Sequence, residues 1–128
     1  MTVPTILVVD DDADIRNLTQ LALETVAGWH VLSADSGPAA VETALAEIPD
    51  AVLLDMMMPG MDGLTTFELL QADESTRDIP VILFTAKVQI GDRQAWSDYA
   101  VRGAIAKPFD PMTLADEVAA MLSWASVS

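Results

Sequence analysis

Apolar residues in this chain gather in four short unbroken runs, and between the runs they recur every three or four positions. The runs are Ile6-Leu7-Val8-Val9, Val52-Leu53-Leu54, Val81-Ile82-Leu83-Phe84 and Ala104-Ile105-Ala106. Short β-branched and Leu-rich runs suit strands buried on both faces of a parallel sheet. His30 to Ala34 reads as a weaker additional strand. Ile15, Leu18, Ala22 and Val26 predict a first helix, with Asp12 as its N-cap and Gly28 at its end. Ser36-Gly37-Pro38 opens a second helix whose apolar face is Val41, Ala44, Leu45 and Ile48, and Pro49 closes it. After a loop rich in Pro and Gly, Leu64, Phe67 and Leu70 mark a third. Val88 to Tyr99 is a fourth helical segment with a ragged stripe that Gly91 interrupts. The fifth carries Leu114, Val118, Met121 and Leu122, with Asp110 as N-cap and Pro111 at its first position.

Strands alternating with helices imply right-handed crossovers and an α/β fold, a parallel sheet with helices on both faces. With 128 residues and no repeat or linker, the expectation is a single domain over residues 1–128.

Composition narrows the function classes. Apolar residues make up 52% of the chain, which excludes a disordered polymer. Cysteine is absent, so disulfides and thiolate metal sites are excluded. Twenty acidic residues against six basic ones give a formal charge of −14. Such a surface repels nucleic acid and anionic lipid, so neither is an expected partner. No apolar stretch has the length of a membrane span, and Met1-Thr2-Val3-Pro4 lacks the pattern of a secretory signal. A cytoplasmic location is the expectation.

The runs also end in chemistry. The first leads into Asp10-Asp11-Asp12, the second into Asp55, the third into Thr85 and the last into Lys107. In an open α/β sheet the carboxyl ends of the strands line the ligand crevice, so these groups converge on one edge. Two carboxylates about 4 Å apart repel by roughly 4 kcal/mol near a protein surface, so a cluster of them calls for a cation. Oxygen ligands alone, with no Cys and a remote His30, favour Mg2+, with Mn2+ as the alternative. Lys107 is one of only two lysines, the other being Lys87, and it lies between an apolar run and Pro108-Phe109. That is a poor position for a solubilising charge and a good one for pairing with a phosphoryl oxygen. Carboxylate, metal, hydroxyl and amine are together the parts needed for phosphoryl transfer.

The runs ILVVDDD, LLDMMMPGMDG, ILFTA and AIAKPF, in this order and spacing, resemble the receiver domain of two-component response regulators over essentially the whole chain. That resemblance implies a flavodoxin-like (βα)5 fold, doubly wound, with strand order 2-1-3-4-5. It also implies a stand-alone receiver with no output domain. Asp55 would be the phosphoacceptor, taking its phosphoryl group from the phosphohistidine of a histidine kinase or histidine phosphotransfer protein. Asp10 and Asp11 would organise Mg2+ together with Asp55 and the backbone carbonyl of Met57. Thr85 and Lys107 would close on the phosphoryl group, and the Lys107–Pro108 bond would be cis. A downstream protein would bind the face made by the fourth helix, fifth strand and fifth helix. The family commonly has an aromatic residue three positions before the lysine, where this chain has Ala104, so the usual aromatic readout does not operate. Trp96 and Tyr99 are candidates for a partner-facing patch, with ordinary core packing as the alternative. Two other readings stay open. Asp10 fits loosely the nucleophile of haloacid-dehalogenase-like phosphatases, and a pseudo-receiver would bind partners without phosphorylation.

Overall fold

Five strands, β1 (Thr5–Val9), β2 (His30–Ala34), β3 (Ala51–Asp55), β4 (Val81–Thr85) and β5 (Gly103–Ala106), form one sheet in the order β2-β1-β3-β4-β5. Every neighbouring pair is parallel. This is the flavodoxin-like order expected from the resemblance. The structure is a computed structural model that describes residues 3–56, 58, 60–85 and 101–124. Among the described residues the helices are α1 (Ala13–Ala22), which continues as a π-helical stretch Leu23–Ala27, α2 (Gly37–Glu47), α3 (Gly63–Ala72) and α4 (Leu114–Met121). The helix expected over Val88–Tyr99, with Trp96 and Tyr99, lies outside the described residues, as does Lys87.

The strands bury both faces, and alternation divides them between two cores. Ile6, Val8, Leu53, Ile82, Phe84 and Ile105 pack against α4, Leu23 and Trp29 on one side. Leu7, Val9, Val52, Leu54, Val81 and Leu83 pack against Ala40 and Ala44 of α2 and Phe67 and Leu70 of α3 on the other. A fully buried Leu, Ile or Val contributes about 1.5–3 kcal/mol, so the sheet is the rigid scaffold to which loops are attached.

Three helix expectations are corrected. In α1 the buried positions are Thr19 and Ala22, followed by Leu23, while Leu18 is exposed. In α2 the buried stripe is Gly37, Ala40 and Ala44, and Leu45 and Ile48 are exposed. Small residues win there because the helices approach closely: a Cβ on Gly37 would stand 2.4 Å from Thr66 Oγ1 of α3. Finally, regular helix α4 starts at Leu114, not at Pro111. Asp110 still governs the approach, through a turn. Its Oδ1 accepts the Met112 N–H at 2.9 Å and its carbonyl accepts the N–H groups of Thr113 and Leu114 at 3.1 and 3.0 Å.

Candidate functional site

Parallel register places the strand ends level with one another. Val9 stands opposite Leu54, so Asp10 and Asp55 emerge side by side at the centre of the carboxyl edge. Asp55 in turn stands opposite Phe84, and Thr85 opposite Ala106, the residue before Lys107. Asp10 and Asp55 are 1% and 4% exposed. Asp11 is exposed, yet one carboxylate oxygen from each of Asp10, Asp11 and Asp55 lies within 4.8 Å of the others.

Local bonding fixes the two acid-bearing loops. Asp10 Oδ1 accepts the Asp12 N–H at 2.9 Å. Asp12 then caps α1, its Oδ1 accepting the N–H groups of Asp14 and Ile15 at 2.9 and 3.3 Å. Asp12 thus serves the helix and is no part of the cluster, as its position predicts. After β3, the Gly63 N–H donates to the Met56 carbonyl at 3.0 Å. A Cβ on Gly63 would meet the Asp55 carbonyl oxygen at 2.5 Å and Met56 Cα at 2.7 Å, so only glycine lets α3 start this close to the site. Asp62 caps α3 by accepting the Thr65 N–H at 2.8 Å, and that bond holds its carboxyl below the ordinary 3.8.

Lys107 completes the site. Its Nζ lies 2.6 Å from Asp10 Oδ2 and 3.2 Å from Asp55 Oδ1, and 5.9 Å from the centroid of the Phe84 ring. Phe84 stacks on Phe109 at 5.4 Å and 21°, forming an apolar wall behind the ammonium. Burial acts to lower the Lys107 pKa, but the hydrogen bond and charge of Asp10, and then those of Asp55, outweigh it and hold the group above 10.5. The Lys107–Pro108 bond is cis, as expected.

The donor set fits a hard cation. Its three groups are carboxylates, and oxygens on a single Mg2+ stand about 3 to 4 Å apart at bond lengths of roughly 2.1 Å, within small side-chain rotations of the observed spacing. Asp10, Asp11 and Asp55 would hold it. The expected carbonyl ligand Met57 lies outside the described residues, and so does the side chain of Thr85. Ala104 is half-buried and packs with the Leu83 side of the sheet.

Several features escaped the sequence. Arg16 of α1 donates from Nη1 to the Asp10 carbonyl at 2.8 Å. The Phe84–Phe109 stack was not foreseen either, although both residues adjoin predicted site positions. Leu18, Leu21, Ala22, Thr25, Val26, Pro111 and Met112 line a groove of about 280 Å³ between α1 and the turn before α4. Leu21 and Met112 are 60% and 70% exposed, an unusual exposure for apolar side chains that share one groove.

The sequence model of the response regulator receiver domain matches residues 6–119. Over 119 residues the chain is 39% identical to the DNA-binding dual master transcriptional regulator RpaA of Synechocystis sp., covering 93% of this chain and 49% of that protein. It therefore spans about half the length of that relative. The Vibrio cholerae chemotaxis protein CheY4 superposes with a TM-score of 0.87 at 25% identity, covering 94% of this chain and 99% of that one. The N-terminal domain of a response regulator receiver protein from Methanoculleus marisnigri superposes with a TM-score of 0.77 at 36% identity, covering 97% and 100%.

Proposed function

The chain belongs to the response regulator receiver domain family, and from that premise we propose that Asp55 accepts a phosphoryl group from a phosphohistidine in a Mg2+-dependent step. The observation that carries this reading is the placing of Asp55. It is a buried acid at the end of a central strand, beside Asp10 and Asp11 and within 3.2 Å of the Lys107 ammonium. An Asp55 carboxylate oxygen attacks phosphorus, the P–N bond breaks, and its electron pair returns to the imidazole. Mg2+ held by Asp10, Asp11 and Asp55 would supply charge neutralisation for the phosphoryl oxygens. Lys107 exchanges its contact with Asp10 for one with the phosphoryl group, and Thr85 donates a hydrogen bond to it.

Asp10 suits the organising role better than the dehalogenase-like nucleophile. Both of its oxygens are engaged, one by the Asp12 N–H and one by Lys107. Attack from Asp10 would break the Asp12 bond that ties its own loop or leave the ammonium to Asp55 alone.

The partner is a histidine kinase or histidine phosphotransfer protein, and the apolar groove beside α1 is where its helix docks. Asp14, one turn before the groove residue Leu18, and Asp110, next to the groove residue Pro111, are exposed acids. A helix presenting an apolar ridge flanked by Lys or Arg complements both features. The signal leaves through a protein target on the face that includes β5 and α4, because β5 runs directly into Lys107. With a charge of −14 this chain makes no nucleic-acid contact of its own. No helix among the described residues is long and apolar enough to cross a membrane. Membership of the receiver family supports a cytoplasmic location.

Acetyl phosphate with Mg2+ should label the chain, and Asp55→Asn or excess chelator should abolish labelling. Undiminished labelling in either case contradicts the proposal. Leu18→Glu should slow transfer from the cognate kinase while leaving labelling by acetyl phosphate unchanged; equal loss with both donors contradicts the docking assignment.

A further inference from the structure

Among the described residues Arg16 makes no ion pair, in a chain that has twenty acids. The ion pairs among the described residues are made by Lys107, whereas the half-buried Arg16 reaches from α1 to the backbone carbonyl of Asp10, at 2.8 Å from Nη1. It stands in the first turn of the helix, where a cation opposes the helix dipole. The Asp12 side chain already satisfies two of the free N–H groups there. Helix stability therefore does not account for the position of Arg16.

The bond grips the peptide that joins Asp10 to Asp11. The Asp10 carboxylate has its own restraints, the Asp12 N–H and Lys107. Asp11 differs: its exposed carboxylate reaches the cluster, but among the described residues no hydrogen bond holds it. Its direction is inherited from the backbone.

We infer that Arg16 is a positioning residue for the cation site, fixing the Asp10–Asp11 peptide so that the Asp11 carboxylate faces Asp10 and Asp55. This rests on reading the three aspartates as a Mg2+ site. Simple electrostatics predicts the opposite sign. A nearby guanidinium repels a divalent cation, so deleting its charge should tighten binding. Losing a group that orients a metal ligand instead weakens binding, typically by ten- to a hundredfold.

The test is isothermal titration calorimetry with Mg2+ on the unphosphorylated chain, wild type against Arg16→Met, with thermal unfolding recorded for both. Methionine keeps much of the apolar stem and removes both reach and charge. Mg2+ affinity is expected to fall roughly tenfold. Equal or tighter binding by the folded variant overturns the inference, because a merely structural arginine would lower thermal stability without weakening the metal. If Arg16→Met does not fold, Arg16→Gln, too short to reach the carbonyl, is read for the same two outcomes. A wild-type chain that binds no Mg2+ overturns the metal site and this inference together. Wild-type binding that Arg16→Met retains in full overturns this inference alone.

Discussion

In the loop from β1 to α1, the buried strand-end acid Asp10 and the capping acid Asp12 are separated only by Asp11. In the loop from β3 to α3 the corresponding pair, Asp55 and Asp62, are separated by the whole stretch Met56 to Met61. Each loop thus has one buried acid for the site and one exposed acid for the helix, and the short loop adds the exposed Asp11 to the cluster. The means of holding them differ. The short loop is tied by the Asp10–Asp12 bond and by Arg16, whereas the long one is drawn in by Gly63, whose backbone lies against Asp55 and Met56. The short loop is suited to fixing metal ligands. In the long one the backbone at Asp55 and Met56 is set by the start of α3.

The largest test of this comparison lies in the cation that joins the two loops. Lys107→Met leaves Asp10 and Asp55 buried without their ammonium and should cost about 3–5 kcal/mol in denaturant unfolding. Added Mg2+ should return part of that stability, since a cation held by the three aspartates would bind the folded state alone. A smaller effect comes from the long loop. Gly63→Ala forces a Cβ against backbone atoms that cannot move aside and should cost about 1–3 kcal/mol by the same measurement. The same substitution at Gly60, where no atom lies within 4 Å, meets no such clash but introduces a side chain at φ 84, so backbone strain is its only cost. Smallest are the caps: Asp12→Ala and Asp62→Ala should each cost about 1 kcal/mol. For Asp62 the loss depends on pH. Its carboxyl is held below 3.8 in the folded chain by the Thr65 N–H. The cap therefore contributes fully above 3.8 and fades as pH falls through the folded value, and Asp62→Ala should flatten the acid limb of the stability profile.

Much of this architecture was legible in the sequence because strands buried on both faces leave unbroken apolar runs, as in Ile6–Val9 and Val81–Phe84. The same runs placed Asp10, Asp55 and Lys107 at one edge, since a strand end is where an apolar run stops. Helix faces were less legible. Leu45 and Ile48 are as apolar as any core residue, but the choice of buried stripe in α2 was made by the Gly37–Thr66 contact with α3, which no local pattern records. Leu18 misled for a related reason: it lines a groove left open rather than a core. Arg16 left a faint trace, a lone cation in a helix's first turn just after three acids. Its long side chain reaches a backbone carbonyl, and such a bond has no signature in residue spacing.

The central claim is that the acid doing covalent chemistry is in the long loop and the acids gathering the metal are in the short one. Mass-spectrometric mapping of the chain after treatment with acetyl phosphate and Mg2+ tests it directly. The phosphoryl group is predicted on Asp55, in wild type and, at reduced level, in Asp10→Asn. A phosphoryl group found on Asp10, with Asp55 unmodified, would contradict it.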